Sequence, residues 1–175
     1  MTYTDDRQFP PALASAMAAP FDYDGGDGAD FEPFPAFLPA EETTGWFRAW
    51  TGNKDLDGDG FRIFGQDGTG GYAALWLTRP ALALTEQPVV FLGSEGETAV
   101  IARDLGDFLW LLADGLGPCE AADLHERQRA TRPNPELRSV AERFAPGRNR
   151  SAATVIELAT QEFPDFDDTI AELCG

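Results

Sequence analysis

Four short apolar runs separated by turn-forming residues constrain the fold of this chain more than any other feature. The runs are rich in β-branched and aromatic residues, which favour strands. They are FRIF (Phe61 to Phe64), YAALWLTR (Tyr72 to Arg79), PVVFLG (Pro88 to Gly93) and TAVIAR (Thr98 to Arg103). Short connections between successive runs favour antiparallel pairing of neighbours. The sequence therefore predicts an antiparallel sheet of four or more strands in meander order.

The segment after the fourth run predicts a helix that covers the sheet. Asp104 is a suitable N-cap for this helix. Apolar residues then recur at helical spacing on one face: Leu105, Phe108, Leu109, Leu112 and Leu116. Beyond Cys119, further helices are predicted over 120–130, 135–144, 151–162 and 166–173. The predicted fold class is α+β, with the sheet packed against helices and extra helices at the C-terminus.

The first 42 residues differ in composition from the rest of the chain. They are rich in Pro, Gly, Asp and Phe, which is typical of an acidic arm, with a short helix expected over 11–19. The arm's aromatic side chains are expected to dock on the body of the same chain. We predict an arm over 1–42 and a single α+β domain over 43–175, with a core block at 45–117 and a helical extension at 119–175.

The run WFRAW predicts a short helix that begins at Thr44 and ends near Gly52. Within this helix, Trp46 and Trp50 lie four residues apart and therefore share one face. Large apolar side chains on one helical face usually pack inward. The two tryptophans are therefore expected to face the core.

Charge and hydropathy separate the possible classes of partner. Thirty acidic and thirteen basic residues give a net charge of −17, which repels nucleic-acid backbones and anionic lipid heads. No apolar run approaches the ~20 residues that span a bilayer, and the first ten residues lack a signal-peptide pattern. We expect a cytoplasmic protein with no nucleic-acid or membrane partner. The charge has two interpretations, solubility and attraction to a basic protein.

Two motifs resemble ligand sites, and each fails one requirement. Asp55, Asp57 and Asp59 match the start of a calcium loop, but Gln66 stands where a bidentate glutamate is needed. GQDGTGG, over 65–71, joins two predicted strands and carries no lysine, which favours a hairpin turn over a phosphate loop. The sequence therefore predicts no metal and no cofactor.

Residues for covalent or acid–base catalysis are equally sparse. His125 is the only histidine and has no serine or cysteine at a triad-like spacing. Cys119 and Cys174 are the only cysteines, so no disulfide framework is available, and a reducing compartment fits best. We expect no catalytic residue and no enzyme activity.

The order FGQDGTGGYAALWL, PVVFLGSEGE and IARDLGDFLWLLADG resembles the central block of the SUKH superfamily, whose best-known members are Smi/Knr-type cell-wall regulators. The matching residues are Asp67, Gly68, Gly70, Trp76, Glu95 and the step Asp107, Phe108, Leu109. The resemblance covers about residues 45–117, and the acidic arm replaces the family's usual N-terminal helix. It implies an α+β fold and a role as an immunity protein that binds and neutralises a polymorphic toxin, often a nuclease.

We therefore expect a non-enzymatic binding protein whose partner is a basic toxin domain. The alternative is a regulatory or scaffold protein that recruits partners, as in the control of cell-wall synthesis. The sequence specifies no oligomeric state. The residues expected to contact a partner are Asp55, Asp57, Asp59, Asp67 and Glu95. The residues expected to act in turns or in the core are Gly68, Gly70, Trp76 and Phe108.

Overall fold

Helices and strands follow one another in blocks along the chain. The computed structural model describes residues 7–23, 25, 28–123 and 131–175. The elements, in chain order, are α1 (Pro11–Met17), β1 (Glu32–Pro33), α2 (Ala40–Thr51), β2 (Phe61–Gln66), β3 (Tyr72–Trp76), a 3-10 turn (Leu84–Glu86), β4 (Val89–Leu92), β5 (Thr98–Ala102), α3 (Leu105–Ala113), α4 (Pro118–Ala122), α5 (Pro135–Phe144), α6 (Ala152–Glu162) and α7 (Phe166–Leu173). Within the described ranges, no helix combines the length and the apolar composition that crossing a bilayer requires.

The strands form one antiparallel sheet in the order β1-β2-β3-β4-β5. The predicted α+β class and four-strand meander are therefore confirmed. The arm adds the fifth strand, because Glu32 and Pro33 pair with Gln66 and Gly65 of β2. This pairing places β1 at one edge of the sheet and β5 at the other.

Both faces of the sheet are buried, because successive strand residues alternate between two apolar clusters. Val89 and Phe91 belong to a first cluster with residues of α1, α3, α5 and α6. Val90 and Leu92 belong to a second cluster with residues of α2, the end of α6 and α7. Burial on both faces explains why the strands are almost continuously apolar in sequence instead of alternating with polar residues.

Helix ends follow the capping residues in the sequence. The side chain of Asp104 accepts a hydrogen bond from Asp107 N at the start of α3, as expected. The side chain of Ser151 does the same for Thr154 N at the start of α6. The helix predicted over 120–130 corresponds to α4, which ends at Ala122. Residues 124–130, including His125, lie outside the described ranges.

Helix α2 begins at Ala40 and not at Thr44, so it crosses the predicted boundary between arm and domain. Thr44 was expected to cap the helix from outside, but the first turn instead follows Pro39. Inside that turn, Thr43 Oγ1 donates a hydrogen bond to Pro39 O at 3.0 Å. Glu41 and Glu42 occupy the first turn, where negative charge stabilises the helix dipole.

The arm packs on the body of the same chain and contributes to its first apolar cluster. Leu13 of α1 is fully buried, and Phe31 and Phe37 are nearly so. The Phe9 ring meets Phe37 edge-on at 4.7 Å between centroids. An exception is Tyr23, whose side chain is largely exposed.

Asp107 is a fully buried carboxylate that binds three arginines. Its Oδ2 accepts a hydrogen bond from Arg103 Nε at 3.0 Å, and its Oδ1 lies 2.7 Å from Arg150 Nη1 and 3.0 Å from Arg148 Nη2. Arg148 also binds Asp104 at 2.7 Å. A buried charge is tolerated only when it is paired in this way. The network therefore ties the start of α3 to the connection between α5 and α6.

Replacing Asp107 by alanine is expected to lower the free energy of unfolding by about 3–5 kcal/mol, because three guanidinium groups lose their shared carboxylate. Urea denaturation followed by circular dichroism measures this change. Glu142→Ala is the matched control, since Glu142 pairs with Arg138 at the surface, and its expected effect is below about 1 kcal/mol. Equal losses in the two variants would show that the network adds nothing beyond an ordinary surface pair.

Candidate functional site

The acidic loop, residues 53–60 between α2 and β2, is held against α2 by hydrogen bonds to its backbone. Gly58 N donates to Thr44 Oγ1 at 2.9 Å, and Arg48 Nε donates to Leu56 O at 2.6 Å. A Cβ on Gly58 would lie 2.7 Å from a threonine side chain of α2, so glycine is required here. The loop therefore has a defined course along the helix.

The three aspartates of this loop remain at the surface. Asp57 Oδ1 accepts a hydrogen bond from Asp59 N at 3.0 Å, and Asn53 Oδ1 accepts one from Asp55 N at 3.1 Å. These local turns shape the loop through side-chain oxygens. All three aspartates are exposed, and the Asp59 side chain retains 68% of its accessible surface.

The acidic loop and α2 enclose an open groove of about 540 Å³, which we call the acidic groove. Its lining residues are Ala40, Glu41, Thr44, Gly45, Arg48, Asp57 and Asp59. The lining carries three carboxylates and one guanidinium, whose Nε is already bound to the loop backbone. The groove is therefore negatively charged, and its charge favours a cationic side chain.

Arg7 of the arm places a cationic side chain at the edge of the groove. Its Nη2 lies 3.6 Å from a carboxylate oxygen of Asp59. Within the described part of the chain, the other terminal nitrogen, Nη1, is buried without a hydrogen-bond partner. Asp59 thus accepts a guanidinium group from its own chain.

Gln66, the twelfth residue counted from Asp55, lies away from the acidic loop. It ends β2, where it pairs with Tyr72, and its Nε2 donates a hydrogen bond to Glu32 at 3.2 Å. The aspartates therefore receive no closing ligand of the kind that a calcium loop supplies.

Asp67, one of the residues expected to contact a partner, lies in the turn between β2 and β3, where hydrogen bonds occupy its side chain. It is only 5% exposed. Its Oδ1 accepts hydrogen bonds from Thr69 N at 2.9 Å, from Thr69 Oγ1 at 2.7 Å and from Gly71 N at 2.8 Å. Gly68 N donates to Asp30 Oδ1 at 2.9 Å, and Gly70 has a φ of +90°, which favours glycine. These interactions commit Asp67 to the turn.

Glu95 is exposed but does not join the acidic groove. It follows Leu92, which pairs with Tyr72 at one end of β3. The acidic loop precedes Phe61, which pairs with Trp76 at the other end of that strand. Strand geometry places the ends of this five-residue strand about 15 Å apart. The structure therefore brings Asp57 and Asp59 together and leaves Glu95 elsewhere.

Phe108 lies inside the first apolar cluster, whereas Trp76 is partly buried and packs against the second. The Trp76 ring contacts Phe166 and Phe163 at centroid distances of 4.7 and 5.6 Å. Phe108 is fully buried, with its ring 5.5 Å from that of Phe64. Neither side chain is part of the acidic groove.

Asp30, Asp67 and Cys119 form a thiol–carboxylate group that the sequence analysis did not find. Their oxygen and sulfur atoms lie within 4.8 Å of one another, the arrangement among the described residues that best resembles a set of metal ligands. Burial, the hydrogen bond to Asp67 and the negative charges of Glu120, Asp67 and Asp30 all raise the pKa of the Cys119 thiol. The thiol is therefore protonated at neutral pH. The three residues come from the arm, a turn and α4, so no local spacing signals the group.

Comparison of the chain with protein-family models, with curated proteins and with solved structures finds no match.

Cys119 is expected to react with iodoacetamide at pH 8 more slowly than Cys174, by roughly tenfold or more, because only the thiolate attacks. Its raised pKa keeps the proton on the sulfur as the pH rises through the range in which a free thiol ionises, whereas Cys174 is exposed. Peptide mapping by mass spectrometry measures both rates, and a Cys174→Ser variant isolates the slow thiol. Equal rates in the folded protein would contradict the geometry of this group.

Proposed function

We propose that this chain is a non-enzymatic binding protein of the SUKH type, an immunity protein that binds and neutralises a basic toxin domain such as a nuclease. The observation that carries the proposal is the acidic groove beside α2. It sets Glu41, Asp57 and Asp59 around an open groove of about 540 Å³, on a chain with a net charge of −17. Such a surface favours a positively charged partner and disfavours a polyanion.

The order of elements in the resembling block supports the family part of the proposal. Strand β2, the turn at Asp67 and Gly68, strand β3 ending in Trp76, and the hairpin of β4 and β5 follow one another. Helix α3 then carries the step that begins at Asp107. This succession of strands and a covering helix is compatible with the α+β fold that the resemblance implies.

Inhibition by such a protein requires occupation of the toxin's substrate site and no chemistry. Nucleases bind phosphate backbones through lysine and arginine side chains, so their active-site surfaces carry positive charge. Carboxylates in the acidic groove would pair with those side chains and exclude the nucleic acid. Complementary charge also accelerates the encounter, which matters for a protein that must reach its toxin before the substrate does.

The rigidity of the acidic loop strengthens this proposal. Hydrogen bonds from Gly58 to Thr44 and from Arg48 to Leu56 fix the loop before any partner arrives. A preorganised loop loses little conformational entropy on binding. The groove is therefore suited to recognition by charge and shape together.

The double variant Asp57→Asn, Asp59→Asn is expected to slow association with the basic partner several-fold at low salt and to weaken its salt dependence. The matched control is Glu136→Gln, Glu142→Gln on α5, which removes the same charge on the opposite face of the sheet. Affinity capture from host lysate with the wild-type chain and both variants, followed by mass spectrometry, identifies proteins that only the loop variant loses. Association rates with the purified partner are then measured at two salt concentrations.

Retention of a basic toxin domain by the wild type and the control, together with rescue of growth when toxin and chain are co-expressed, is the expected result. Capture of wall-synthesis proteins alone would replace the immunity proposal with the regulatory one. Equal association rates for all three chains at low salt would remove the acidic groove from the interface.

A further inference from the structure

Four aromatic side chains form a continuous row across α2 and the neighbouring strands, and we call Phe34, Tyr72, Trp46 and Trp50 the aromatic row. The centroid of the Trp46 ring lies 5.3 Å from that of Trp50 and 4.8 Å from that of Tyr72. Tyr72 in turn lies 6.2 Å from Phe34. The tryptophans pack against the second cluster, but all four side chains keep part of their surface open to solvent. Each tryptophan ring therefore packs inward, as expected, but also keeps part of its surface exposed to solvent.

Two hydrogen-bond donors of the aromatic row are unused. Trp50 Nε1 donates to Gly93 O at 2.7 Å, which fixes that ring. Within the described part of the chain, Trp46 Nε1 and the Tyr72 hydroxyl have no hydrogen-bond partner, and neither atom is buried. Amphipathic rings with a free polar edge are enriched at protein interfaces. The row therefore combines apolar area with donors that a partner can satisfy.

The aromatic row and the acidic groove border the same exposed face of α2. Successive helical residues are about 100° apart, which places Trp46 and Trp50 on one flank of the buried face of α2. The groove residues Thr44 and Arg48 lie on the other flank. Gly45, which is exposed and has no neighbour within 4 Å of a Cβ position, lies on the solvent side between them. A partner seated over α2 therefore contacts both features.

A glutamate side chain lies near each of the two tryptophans. Glu42 is exposed and lies one helical turn before Trp46, close enough for the two side chains to be neighbours. The Glu97 side chain lies over the backbone of Gly93, whose carbonyl binds Trp50. The cation–π contacts among the described residues involve Phe163, Trp110 and Phe144, so none of the described arginines covers the row.

We infer that the aromatic row binds arginine side chains of the basic partner, with a guanidinium stacked on Trp46 and paired with Glu42. This inference rests on the proposed function and names the residue type that the partner presents. Arginine fits better than lysine, because its planar, weakly hydrated group stacks on aromatic faces while donating to carboxylates. An apolar partner would bury the neighbouring carboxylates without compensation.

The test compares oligoarginine and oligolysine peptides of equal length, titrated into the full chain at moderate salt. Arginine stacking on exposed rings is expected to make the oligoarginine bind roughly two- to fivefold more tightly. The indole N–H resonance of Trp46 in ¹⁵N-labelled protein is expected to shift on binding, while that of buried Trp110, which donates to Ala145 O, stays in place. Trp46→Leu assigns the resonance and is expected to abolish the arginine preference, because it weakens oligoarginine binding more than oligolysine binding.

Equal affinities for the two peptides would overturn the inference even if Trp46→Leu did not fold, because this comparison uses the wild-type chain. An unmoved Trp46 resonance at saturation would overturn it as well. The same titration with the Asp57→Asn, Asp59→Asn variant separates this failure from that of the proposed function. Weaker binding of both peptides by that variant keeps the acidic groove in the interface. Failure of both peptides to bind the wild type would overturn both proposals.

Discussion

Burial of both faces of the central sheet is the constraint on which the rest of the structure depends. Each strand sends alternate residues into two apolar clusters, so helices must cover both sides. The first face is covered by four helices and by the arm. The second face is covered mainly by α2 and α7, and this thinner cover leaves the rings of Trp46, Trp50 and Tyr72 at its edge. The surface that we assign to a partner is thus a consequence of how the second face is closed.

Several arginine side chains bind buried carboxylates or backbone carbonyl groups. Arg103, Arg148 and Arg150 converge on the buried Asp107. Arg62 is 5% exposed and donates to the carbonyl oxygens that precede and begin β2. None of these four side chains lines the acidic groove, in which three carboxylates outnumber one guanidinium. The groove therefore keeps an excess of negative charge.

Apolar periodicity and capping residues predicted most of the fold, because both are local signals. Strands β2 to β5 and helices α3, α5, α6 and α7 follow directly from them. Strand β1 escaped prediction because a two-residue strand containing Pro33 carries no periodic pattern. The start of α2 was missed because Pro39 offers no side-chain cap. Of the site, the acidic loop was visible in the sequence, whereas the burial of Asp67 and its contact with Cys119 depend on long-range packing.

Hydrogen–deuterium exchange on the chain alone and in complex with its captured basic partner tests the central claim most directly. The account predicts slower exchange in α2, in the acidic loop and in the turn at residues 93–97, because these segments border the proposed interface. Helix α5, on the opposite face of the sheet, is expected to exchange at the same rate in both states. Protection confined to α5 and α6, with α2 and the acidic loop unchanged, would contradict the account.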